Sequence, residues 1–249
     1  MRPSLRFILL GLATFLVALI VVLPASWLRR VLPPGVQCPN WSGSLWRGEC
    51  TGLTLSSGAK QPLRLDSLRW RLHPLSLLRA QLNADVQLDG AGMQARATVL
   101  AGRDDLLRIS ALSATGALNH QLLGALPAGW TATVDARNVA FELQGRNIQQ
   151  IAGILTAREV TDEHGTRLGD YELQFAPQQH PPYSGTLRDV GGPVELKARL
   201  SIKADRSWML DGAATLRPGG PPQLGRMLDQ LNTADLQGRH RILLEGVVD

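Results

Sequence analysis

Asp162, Glu163 and His164 form the densest local group of side chains able to do chemistry: two carboxylates and an imidazole, donors suited to a metal ion or a shared proton. They are consecutive and followed by Gly165, and adjacent side chains on a strand or turn point in different directions. The run therefore reads as a polar hairpin turn. His73, His120, His180 and His240 are dispersed, and none stands in a spacing such as H-E-x-x-H. In Gly43-Ser44-Leu45-Trp46-Arg47-Gly48 the serine directly follows the glycine, whereas a nucleophile elbow needs G-x-S-x-G at a strand-to-helix turn. Gly90-Ala91-Gly92 lacks the third glycine and the helix of a phosphate-cradling loop. No catalytic residue, metal site or cofactor is expected, and the protein is not expected to be an enzyme.

The two cysteines carry chemistry of another kind. Cys38 and Cys50 flank a short segment rich in glycine and tryptophan. In an oxidising compartment they would close a loop and contribute about 3 kcal/mol by restricting the unfolded chain. Two buried free thiols are the alternative. A zinc site is not, since no further cysteine or histidine lies near.

The charge balance decides which partners suit the chain. The net charge of +5 invites a nucleic-acid reading, but Arg2, Arg6, Arg29 and Arg30 account for most of it, leaving 22 basic against 21 acidic side chains in residues 31–249. The excess flanks an apolar stretch, which suits lipid headgroups better than a phosphate-tracking surface. Aromatic residues are 5% of the chain and are not interleaved with a basic stripe, so no nucleic-acid partner is expected. Residues 7–28 carry no charge and are long enough to cross a bilayer as one helix, with Trp27 at an interfacial position. A retained anchor fits better than a cleaved signal peptide, because Leu23 or Pro24 would fill a position that cleavage reserves for a small residue. The flanking arginines nearly balance, so charge alone does not set the orientation.

Beyond the anchor the elements that must position everything else have period two. From Val194 to Ile202 every second side chain is apolar, the signature of a half-buried strand. Shorter alternation passes through Trp70 and Leu72, residues 82–88, 93–99 and 130–134, Val139 with Phe141 and Leu143, Tyr171 with Leu173 and Phe175, and Ile242 with Leu244. Turn signals fall at Asp89-Gly90, His164-Gly165, Gly191-Gly192-Pro193, Asp211-Gly212 and residues 217–222. Helical patterning is confined to residues 74–80, 223–231 and, more weakly, 148–155. The expected fold is mainly β: an N-terminal transmembrane helix over 7–28, then an extended, curved antiparallel meander, open groove or sandwich-like, with a few short helices. Residues 29–249 read as one extramembrane domain.

Trp41-Ser42-Gly43-Ser44-Leu45-Trp46-Arg47-Gly48 and Trp70-Arg71-Leu72-His73-Pro74-Leu75-Ser76-Leu77-Leu78 resemble two landmarks of the type II secretion system protein N family, also called general secretion pathway protein N. That family has an S-G-T-L-W-x-G-like segment followed by W-x-L-x-P-x-x-L-L. Asp189-Val190-Gly191-Gly192-Pro193-Val194-Glu195-Leu196, then residues 236–241 and Glu245-Gly246, are similar to its later landmarks. Ser44 stands where threonine is common. The cysteine pair is no part of the resemblance, so the disulfide expectation rests on this sequence alone.

The resemblance implies a non-enzymatic inner-membrane accessory of the machine that exports folded proteins from the periplasm across the outer membrane. It implies a cytoplasmic start over 1–6, a single span over 7–28 and a periplasmic body over 29–249, with other inner-membrane secretion components and membrane lipid as partners. Trp41, Gly43, Leu45, Trp46, Gly48, Trp70, Pro74, Gly191 and Gly192 are then structural motif residues. Trp46 is expected to be an apolar anchor, while Trp70 and Leu72 face inward and Pro74 ends their strand. The alternative is ligand handling: the sequence also resembles the AsmA-like bridge proteins, in which an open trough shelters acyl chains. Such a trough would leave Phe141, Phe175, Val194, Leu196, Leu200 and Ile202 facing a bound apolar ligand.

Overall fold

The computed structural model describes Gly11 and residues 22–30, 35–56, 63–119, 129–145, 147–178 and 180–247. The chain forms two compact units, residues 1–91 and 92–249. Both are antiparallel sheets, as the period-two patterning predicts.

In the first unit β1 (Val36–Gln37) and β2 (Asn40–Gly43) lie end to end along one edge of β3 (Arg47–Leu55), followed by β4 (Leu63–Leu72) and β5 (Leu82–Gly90). Pro39, which has no N–H to give to the ladder, breaks the edge between β1 and β2. Ala25–Arg30 is a 3-10 helix laid against this sheet, and Pro74–Arg79 is another between β4 and β5. Cys50, Leu53, Leu65 and Trp70 form the core with Ala25, which is only 1% exposed.

Most of the expected membrane span lies outside the described residues. Its last part is described: Pro24 bridges to Ser44, and residues 25–30 form the 3-10 helix packed on the sheet. Among the described residues no helix is long and apolar enough to cross a membrane.

The second unit contains β6 (Met93–Ala101), β7 (Leu106–Asn119), β8 (Thr131–Gln144), β9 (Asn147–Thr161), β10 (Arg167–Gln178), β11 (Tyr183–Gly191), β12 (Val194–Ile202), β13 (Ser207–Leu216) and β14 (His240–Val247). Each strand pairs with the next, and among the described residues β6 does not pair with β14, so the unit is an open antiparallel meander. A helix, α1 (Pro222–Leu231), joins β13 to β14 and lays Leu224 and Leu228 on Val160, Leu168, Val194 and Ala214. This matches the helical pattern of residues 223–231. Buried apolar area is the main stabiliser of such a cluster, about 25 cal/mol per Å2 removed from water.

Two local expectations are overturned. Residues 148–155 are part of β9, although Ile148, Ile151, Ala152 and Leu155 have helical spacing. Pairing on both sides, with β8 and β10, supplies every backbone partner a strand needs and overrides that pattern. Asp211-Gly212 is no turn but lies within β13, opposite Arg199 and Ala198. A Cβ at Gly212 would overlap Ala198, so glycine here serves close approach of two strands.

Candidate functional site

The tryptophan-bearing segments converge in the first unit. β2 and β3 form a hairpin in which Gly43 faces Gly48 and Trp41 faces Cys50; β4 then sets Trp70 against Gly48 and Leu68 against Cys50. Gly43 makes the turn possible: its φ is +84°, and a Cβ there would meet the Arg47 carbonyl. The Ser44 amide donates to that carbonyl at 2.9 Å, and the Ser44 hydroxyl accepts from the Arg47 amide at 3.2 Å. Ser44 thus closes a turn.

The two indoles meet edge to face, centroids 5.8 Å apart, a favoured aromatic geometry. Both N–H groups are satisfied by backbone: Trp41 donates to the Cys38 carbonyl and Trp70 to the Leu45 carbonyl, each at 3.0 Å. Cys38 and Cys50 are joined in a disulfide that ties the broken edge strand to β3. Trp46 is half-buried and contributes through its backbone, its carbonyl accepting from the Leu72 amide at 2.7 Å. The Leu45 amide donates to the Leu23 carbonyl at 2.8 Å. The Leu45-Trp46 turn is therefore where the end of the apolar N-terminal stretch is fastened to the sheet.

The connection after β4 lies at the same end. Pro74 opens its 3-10 helix, and Ser76 turns inward, its hydroxyl donating to the His73 carbonyl at 2.6 Å and accepting from the Asn83 amide at 3.2 Å. Leu75, Leu77 and Leu78 are left outside; Leu75 is 78% and Leu78 85% exposed. His73 pairs with Asp85 at 2.9 Å.

Gly191 and Gly192 stand apart, in the second unit. Gly192 packs on Gly169, where a side chain would overlap backbone. Beside them Arg217 donates to Asp189 and, at 2.5 Å, to the Gly192 carbonyl, while Asp189 also accepts from the Leu196 amide at 3.1 Å. Burial opposes the charged form of Asp189, but the Arg217 hydrogen bond, the Leu196 amide and the Arg217 charge outweigh it and hold the carboxyl below its ordinary range. Burial, with the Asp189 charge, pushes the neighbouring Tyr171 phenol up to about 12. This clamp was not legible beforehand, since Asp189 and Arg217 are 28 positions apart.

Asp162, Glu163 and His164 do form a turn. Asp162 accepts from the His164 amide at 2.9 Å and the Thr166 amide at 2.8 Å, which lowers its pKa, the Thr166 bond most strongly. The turn borders an open cleft of about 510 Å3 shared with Trp130, Arg226 and Met227. Among the described residues no group of three or more His, Cys, Asp or Glu side chains is arranged to hold a metal.

The family model of type II secretion system protein N matches residues 34–242. The chain belongs to that family. Protein N of the type II secretion system from Aeromonas hydrophila is 27% identical over 260 residues, an alignment covering 99% of each chain. No solved structure matches. In this chain the family-like segments thus occupy the turn that receives Leu23, the Trp41–Trp70 pair and the glycine contact beside Asp189.

Proposed function

We propose that this protein is a non-enzymatic accessory of the type II secretion system, held in the inner membrane by its apolar N-terminal stretch. Residues 1–6 lie in the cytoplasm and the two β units in the periplasm, where they dock other inner-membrane secretion components. The observation that carries this reading is the family match across both units. The Cys38–Cys50 disulfide supports the periplasmic side, because such bonds persist in oxidising compartments. The fastening of Leu45 to Leu23 supports a body seated close to its anchor.

In this reading Trp41, Gly43, Leu45, Trp46, Gly48, Trp70, Pro74, Gly191 and Gly192 keep the docking surfaces in shape and do not themselves react. A lipid-sheltering trough gains no support from its expected lining: Val194 is buried beneath α1 and Phe175 against Gly185, and Phe141, Leu196, Leu200 and Ile202 are half-buried. Crosslinking in intact cells tests the proposal. Recovery of secretion-platform proteins with the full-length chain, and impaired export on its deletion, are expected. Absence of both would overturn it.

A further inference from the structure

We infer that the Pro74–Arg79 turn is a second membrane contact, its leucines dipping into the same bilayer leaflet from which the N-terminal stretch emerges. The inference rests on the anchor reading above and adds a lipid-facing surface within the β body.

A chain of hydrogen bonds fixes the geometry. Leu23, the last residue before the sheet-bound segment, accepts from Leu45; Trp70 on β4 donates to Leu45; Trp46 accepts from Leu72; and Leu72 is followed at once by His73 and the turn. The point of emergence and the exposed leucines therefore share one end of the first unit. The opposite end, at Leu55 and Leu63, is eight or nine residues away along the strands, about 27 Å at the usual rise per residue.

The turn is built to present apolar groups outward. Ser76, its polar member, is pinned inward by two hydrogen bonds, and Ala80 closes it with φ +53°. Leu75, Leu77 and Leu78 are consequently in water unless something covers them. The charges around them name the cover. Arg47, Arg71 and Arg79 are exposed at this end, residues 67–84 contain no acid, and the nearest carboxylates, Glu49 and Asp85, are already paired with Arg69 and His73. Apolar tips ringed by arginine match the acyl boundary and anionic headgroups of a bilayer.

The test uses the full-length chain carrying a benzophenone amino acid at Leu75 or Leu78, or at Arg64 near the far end, reconstituted in vesicles of phosphatidylethanolamine and phosphatidylglycerol. After illumination, lipid adducts at 75 and 78 at least tenfold above those at 64 are expected. Equal yields at all three positions, with the protein resisting alkaline carbonate extraction, would overturn the second contact and leave the anchor standing. Release by carbonate would overturn the anchor reading itself. Illumination of the same variants in cells that gave adducts to another protein at Leu78, in place of lipid, would also overturn the inference.

Discussion

The indole of Trp70 lies across Gly48, leaving no room for a Cβ there, while its N–H reaches past that glycine to the Leu45 carbonyl at 3.0 Å. One side chain thereby ties β4 to the turn that receives the N-terminal stretch. Gly48→Ala forces the ring aside, and overpacking of this kind costs about 1–3 kcal/mol. Trp70→Phe keeps most of the bulk but strands the Leu45 carbonyl, for about 1–3 kcal/mol. Denaturant unfolding of the purified protein checks both; two variants as stable as the parent would mean that the contact is not stabilising.

The disulfide should behave as a fastener of the sheet edge. Cys38 sits in the gap between β1 and β2, next to Pro39, and Cys50 is buried on β3. Paired Cys38→Ser and Cys50→Ser substitutions are expected to lower stability by about 3 kcal/mol, the unfolded-chain entropy of so short a loop. Amide exchange should rise first at residues 36–43, which depend on that edge, and little in the second unit. Uniformly faster exchange throughout the chain would contradict this.

Asp189 makes stability depend on pH in one direction. Its carboxyl titrates below the usual carboxylate value in the folded chain, so its contribution is full above about pH 4 and is lost as the pH falls through the depressed folded value. Asp189→Asn should cost about 1 kcal/mol at neutral pH, discounted because Arg217 is partly exposed. The gap between variant and parent should close below pH 4. Acid titrations followed by circular dichroism measure this, and a gap that widens in acid would refute the assignment.

The legibility of the sequence followed the regularity of the backbone. β12 alternates without interruption and was readable from Val194 to Ile202; β13 was not, because Asp211-Gly212 has the composition of a turn although Gly212 serves a close approach to Ala198. β7 went unread because its register shifts near Ala111, where φ is +52°, and the apolar spacing breaks with it. At the candidate site Trp70 is buried and β4 ends at Leu72, just before Pro74, where side-chain type reports burial and strand ends. The Leu23–Leu45 bond left no trace in sequence because it joins two backbone groups. Ala25 lies in the apolar N-terminal stretch and is buried against the sheet.

The bulge in β8 offers the sharpest test of how this meander keeps one face apolar. Before it, Val134 and Ala136 stand on even positions; after it, Val139, Phe141 and Leu143 stand on odd ones. The register with β9 passes from Arg137–Ile154 to Ala140–Ala152, three residues against two, and Asn138 has φ +49°. One extra residue thus cancels a change of parity and returns the later apolar side chains to the face of the earlier ones. Deleting Asn138 should therefore be far worse than Asn138→Gly, although both remove the same side chain. The deletion turns Val139, Phe141 and Leu143 over and is expected to abolish cooperative unfolding of the second unit. The glycine variant suits the positive φ and should change stability by less than about 1 kcal/mol. Calorimetry on the two proteins decides the matter: similar melting of both would mean that the bulge does not set the register.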